Sequence, residues 1–179
     1  MLIDLVSDAA LELLEADVNL MSRLAAIRKR CEGWLQVEIF KRLLARYEVE
    51  LERSYPSGGG RCDFWCREPD GQQSWVELKL CATNYAQCYT TRSSTRPITQ
   101  QIDDVIGDAR KLQAIPALGS HRHIFLIAYP MPSEHDKHVD WSRHLEKLSL
   151  SSKDLTRTFV IALVFAGKSA FLTGYKLQI

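Results

Sequence analysis

The chain has 179 residues, 46% hydrophobic and 25% charged, with 23 Lys+Arg against 22 Asp+Glu for a formal net charge of +1. That length suits one compact domain with a real core and is too short for two ordinary domains with a linker, while nine glycines and six prolines exclude collagen-like and low-complexity classes. A charge near zero argues against passive coating of nucleic acid but leaves room for an enzyme whose acids gather at a metal site.

Residues 2–15 read as an amphipathic helix, with Leu2, Leu5, Val6, Ala9, Leu13 and Leu14 near helical spacing, and 18–29 read as a second. This opening is acidic where a signal peptide is basic. No apolar run approaches the ~20 residues of a membrane span. Five cysteines without a framework spacing fit a reducing compartment, so a cytoplasmic setting with no membrane partner is expected. Residues 1–30 form an expected N-terminal helical extension, and 31–179 the domain proper. Residues 31–47 carry the helical stripe Leu35, Ile39, Leu43. The period then changes from 3.6 to 2. Residues 48–53, 61–67 and 73–81 alternate like strands and are separated by the turn signals PSGGG and EPDG, which predicts a three-strand meander. Residues 83–96 read as a polar loop, 98–114 as a helix behind Pro97, 122–129 as a buried strand and 134–148 as a surface helix. Residues 157–165 and 169–177 read as a closing β-hairpin. The order predicts an α/β fold, a central mixed sheet flanked by helices.

Alternate side chains of a strand face opposite ways. In the third strand Trp75, Glu77 and Lys79 share a face, and in the second Asp63 and Trp65 share one, with Cys62, Phe64 and Cys66 on the other. A hairpin of these strands can set Asp63 beside Glu77 and Lys79, close to the interior. Two carboxylates there repel and lose hydration unless a cation sits between them. Oxygen ligands suit Mg²⁺ or Mn²⁺, which also accept a phosphate oxygen, and a neighbouring lysine can orient the attacking water. These are the parts of phosphodiester hydrolysis.

Asp63, a spacer of thirteen residues, and then Glu77-Leu78-Lys79 resembles the PD-(D/E)xK nuclease superfamily, and the order of elements from 31 to 129 is similar to that family's αβββαβ core. The resemblance implies a restriction-endonuclease-like fold and Mg²⁺-dependent endonuclease cleavage of nucleic acid, with DNA as the expected partner. It implies Asp63, Glu77 and Lys79 as catalytic residues, with Asp63 and Glu77 on the metal. A carboxylate of the preceding helix often completes such sites. Glu38 occupies the matching place, while Glu32, Gln36 and Glu52 are alternatives and Glu38 is equally able to pair with Arg42 on an exposed face. Cys62 stands where the family nominally has proline. A non-catalytic nucleic-acid-binding or assembly module with the same fold is the second expectation, and a homodimer follows for cuts on two strands.

Gln100 and Gln101 can hydrogen-bond a phosphate or base edge, Arg92 and Arg96 can contact phosphates, and Tyr85 and Tyr89 can stack on bases. Lys111 is similar to a lysine that some family members turn toward substrate, although a solvated helix surface explains it as well. His135 and His138 lie three apart, but nothing at recognised spacing completes a zinc set. Cys62 and Cys66 read as buried free thiols. No Walker loop, GxGxxG or GxSxG occurs, which sets aside nucleotide motors, dinucleotide enzymes and α/β-hydrolases.

Overall fold

The computed structural model describes residues 2–16, 31–83, 97–129, 135–166 and 171–178. Four helices and six strands lie in them: α1 (Leu2–Ala16), α2 (Glu32–Leu43), β1 (Glu48–Leu51), β2 (Phe64–Arg67), β3 (Gln73–Ala82), α3 (Ile98–Gln113), β4 (Ser120–Tyr129), α4 (His135–Ser152), β5 (Arg157–Ala166) and β6 (Phe171–Gln178). The strands form one mixed sheet in the order β1-β2-β3-β4-β5-β6. β1, β2 and β3 are an antiparallel meander. β3, β4 and β5 run parallel, and β6 closes the sheet antiparallel to β5. Each parallel pair is joined through a helix, as parallel strands require. The expected α/β architecture, with its αβββαβ order over α2–β4 and closing hairpin, is therefore present.

The alternation of β3 splits the core in two. Val76, Leu78 and Leu80 face α1 and α2, where Leu2, Val6, Leu14, Leu35, Ile39 and Leu43 are buried with Phe64 and Phe125. Trp75 and Cys81 face α3, whose stripe Ile102, Val105, Ala109 and Leu112 packs with Trp65, Ile124, Leu126 and α4's Leu148. The stripe of α1 thus ends on its own core. Residues 17–30, where the second N-terminal helix is expected, lie outside the described residues. Among the described residues no helix is long and apolar enough to cross a membrane.

One expected face is corrected. Cys66 lies on the α2 side with Phe64, but Cys62 lies on the α3 side with Tyr55 and Trp75. Strict alternation fails because β2 begins only at Phe64. Before it, Asp63 bends the chain opposite Glu52, whose φ of 50° is in the left-handed region, and pairing resumes only at the Ser54↔Arg61 bridge. Cys31, Cys62 and Cys66 are buried free thiols, and Cys81 is buried as well. Burial pushes Cys62 and Cys66 each up to about 12, with nearby carboxylates adding to it.

Candidate active site

The site forms where β2 leaves β3. The regular ladder ends at Phe64↔Val76. The next inward amide along β3, that of Leu78, donates instead to Asp63 Oδ2 at 2.7 Å, and the one after, that of Leu80, donates to Glu32 Oε2 at 2.9 Å. Two carboxylates thus stand in for strand partners, since a buried amide must be satisfied. Gln36, one turn after Glu32 on α2, donates to the Asp63 carbonyl at 3.2 Å and to its Oδ1 at 3.4 Å. The bend at Asp63 and the start of α2 are in this way tied to one edge of β3.

Glu77 projects to the α3 side of β3 and is 3% exposed. Its Oε1 accepts the hydroxyl of Tyr55, and its carboxyl lies close enough to that of Asp63 for each to perturb the other's ionisation. Tyr55 is itself buried and stacked on Trp75, ring centroids 5.9 Å apart. Its amide donates to the Gly60 carbonyl at 3.1 Å, and the position of a Gly60 Cβ would lie 3.7 Å from its ring, so the PSGGG turn folds directly over the tyrosine. Lys79, on the same face of β3, places Nζ 3.9 Å from Glu77 Oε2 and 3.1 Å from Asp108 Oδ2. Asp108 comes from α3, is almost fully buried, and also accepts Lys111 Nζ at 2.6 Å.

Burial raises the Glu77 carboxyl to about 8, the Asp63 charge adds to it, and the Tyr55 hydroxyl opposes it. Burial likewise raises Asp63, against the Leu78 amide. For Lys79, burial acts downward but Asp108, Asp63 and Glu77 outweigh it, and its pKa is raised. A buried Glu77 beside a half-buried Asp63, with a charged lysine next to them, favours holding a proton and has reason to exchange it for a cation. A hard divalent ion needs only one or two protein carboxylates when phosphate and water supply the rest, so Asp63 and Glu77 fit Mg²⁺ or Mn²⁺. No group of three or more His, Cys, Asp or Glu among the described residues could hold a metal ion. The fit therefore rests on this pair.

Asp63, Glu77 and Lys79, singled out from strand parity, come together. Glu38 does not join them: its Oε1 pairs with Lys41 Nζ at 2.7 Å on the outer side of α2. It is also Lys41, not Arg42, that takes this carboxylate, while Arg42 Nη1 donates to the Ala9 carbonyl of α1 at 2.9 Å. Residues 32 and 36 share a helix face and residue 38 lies well round from it, so α2 offers the site Glu32 and Gln36. Glu52 is exposed and pairs with Arg61 at 3.3 Å. Gln100 is exposed, whereas Gln101 is buried and lines a cleft of about 420 Å³ between β3 and α3, to which Lys79, Asp108 and Lys111 also belong. Lys111 is therefore a cleft residue rather than a purely solvated one. Arg92, Arg96, Tyr85 and Tyr89 lie outside the described residues.

Sequence reasoning missed two members. Tyr55 sits in a turn, where no periodicity marks a buried ring. Asp108 lies three residues after Val105 and four before Leu112, on the flank of α3's apolar stripe, a position that signals burial for a charged residue.

No family model matches the chain, and no curated protein matches it in sequence. Among solved structures, that of Pyrococcus furiosus SfsA in complex with Ca²⁺ is similar over 81% of this chain, with 16% identity and a TM-score of 0.36. The chain spans 64% of that protein, less than two thirds of its length, and at that TM-score the likeness decides nothing about activity.

Proposed function

We propose that the chain is a metal-dependent nuclease of the PD-(D/E)xK type that hydrolyses phosphodiester bonds of nucleic acid, with DNA as the substrate, in the cytoplasm. The observation that carries the reading is the meeting of Asp63, held on the Leu78 amide at 2.7 Å, with the buried Glu77 at the end of the β2–β3 ladder, Lys79 lying 3.9 Å from Glu77. In this reading Asp63 and Glu77 hold Mg²⁺ or Mn²⁺, and the bound ion would polarise a phosphate oxygen and acidify a water. Lys79, steadied by Asp108, orients the attacking water and balances charge on the phosphoryl oxygens as the P–O bond to the leaving strand breaks. Tyr55 fixes one oxygen of Glu77 and so leaves the other toward Lys79.

A second reading, a nucleic-acid-binding or assembly module that keeps the fold without catalysis, draws on the lack of a three-ligand metal group among the described residues and on the shorter reach of Lys79 to Asp108 than to Glu77. A panel of single-stranded, duplex and branched DNA and RNA, incubated with Mg²⁺ and Mn²⁺, separates the two. The nuclease reading expects cleavage that Asp63→Ala abolishes together with Mn²⁺ binding. Binding without cleavage of any substrate in either metal selects the module. Pairing of two copies belongs to the proposal for a duplex substrate, and sedimentation with and without duplex reads it.

A further inference from the structure

Gly107 occupies the interior of the 16-residue α3, where glycine is a poor helix former. Nothing among the described residues accounts for it. Apart from its chain neighbours and its own helix backbone, none of their atoms lies within 4 Å of where its Cβ would be, and its φ is not in the left-handed region. The other glycines of residues 31–129 have local reasons: five have positive φ, and Gly33 lies exposed in the first turn of α2. Gly107 instead lines the cleft that holds Lys79, directly before Asp108 and four residues before Lys111. Its place on the helix is thus a notch, open on the cleft side and bordered by the two lysines that share Asp108 at 3.1 and 2.6 Å. Of the acids near its rim, Asp103 is engaged by Lys147 at 2.5 Å.

We propose that Gly107 is a substrate-positioning residue: the missing side chain lets the sugar-phosphate backbone of a nucleic-acid strand lie against α3 between Lys79 and Lys111, close enough for its phosphate to reach the Asp63–Glu77 pair. This rests on the nucleic-acid reading above. A packing glycine and a substrate glycine differ in sign. Because a Cβ meets nothing among the described residues beyond its own helix, Gly107→Ala gains helix propensity and raises Tm by about 2–4 °C. The same methyl meets the strand when substrate binds.

The experiment measures thermal unfolding, binding of short fluorescein-labelled single-stranded and duplex DNA by anisotropy in Ca²⁺, and KM and kcat in Mg²⁺, for wild type, Gly107→Ala and Gly107→Leu. The expected result is a more stable Gly107→Ala whose Kd and KM rise at least about tenfold, more for Leu, with kcat far less affected. Variants that bind and cleave like wild type overturn the proposal, as does a Gly107→Ala protein less stable than wild type. Wild type that binds neither DNA rejects the nucleic-acid reading itself.

Discussion

The acid pair makes the protein's own stability report on its site. Glu77 is 3% exposed, and burial first, then the Asp63 charge, raise its carboxyl from 4.5 to about 8. A carboxyl raised on folding is bound to its proton more tightly in the folded state than in the unfolded chain. Its contribution is therefore fully present below the unfolded pKa and is lost as pH rises from about 4.5 to about 8. The loss amounts to at most roughly 5 kcal/mol, shared with Asp63 because the two carboxyls titrate as a unit. Glu77→Gln keeps the shape and the acceptor for the Tyr55 hydroxyl but cannot ionise. Urea unfolding in EDTA at pH 5 and at pH 8.5 tests this. The difference in stability between the variant and wild type should be small at the lower pH and favour the variant by several kcal/mol at the higher. Mg²⁺ or Mn²⁺ should then restore stability to wild type at high pH and do little for the variant. A stability difference that does not change with pH would show that Glu77 is not held protonated in the empty fold, and the reasoning from burial would fail.

Under the nuclease proposal, Lys79→Ala should slow cleavage by at least about 10²-fold with little change in DNA affinity, since its ammonium would act on charge that develops in the transition state; initial rates and anisotropy read the two separately, and a wild-type rate removes it from the mechanism. Tyr55→Phe keeps the stack on Trp75 but deletes the hydroxyl given to Glu77, which should cost about 1.5–3 kcal/mol where Glu77 is ionised and less below that range, measured by urea unfolding across pH. Ile39→Ala, at a fully buried position of α2, should cost about 2–5 kcal/mol, against no more than about 0.5 for Val37→Ala on the exposed side. His123 is 1% exposed, and burial, then His121 and Arg157, depress it to about 3, so its contribution is present above its ordinary 6.5 and is lost as pH falls toward 3. A His123→Leu protein should resist acid unfolding over that window, which a circular-dichroism pH titration would show.

Most elements were legible because their signals are local. The change from period 3.6 to period 2 after Tyr47, the two Gly-containing turns and the apolar run at 122–129 each depend on neighbours within a few residues. So did the pairing of Glu77 with Lys79, since alternation along an unbroken strand is a property of that strand alone. Alternation failed at Cys62, where Glu52, just past the end of β1 with a φ of 50°, and a bend at Asp63 turn the chain over. That bend arises from tertiary contacts: the Asp63 carboxylate replaces a strand partner for Leu78, and Gln36 holds it there from a different element.

The α2 contribution shows the opposite kind of miss, one the sequence could have prevented. Leu35, Ile39 and Leu43 define the side of the helix that meets the sheet. Glu32 lies three residues before Leu35, and Gln36 three before Ile39, on the flank of that stripe, whereas Glu38 points away toward Lys41. Choosing by place in a family pattern selected Glu38; choosing by helical phase selects Glu32 and Gln36, the two residues that reach the edge of β3. The same phase argument applied to α3 picks out Asp108, whose carboxylate then determines where the Lys79 ammonium rests. The site is thus assembled from one strand's parity and two helices' phases, and only Tyr55, carried in by a turn, lies beyond what periodicity can reveal.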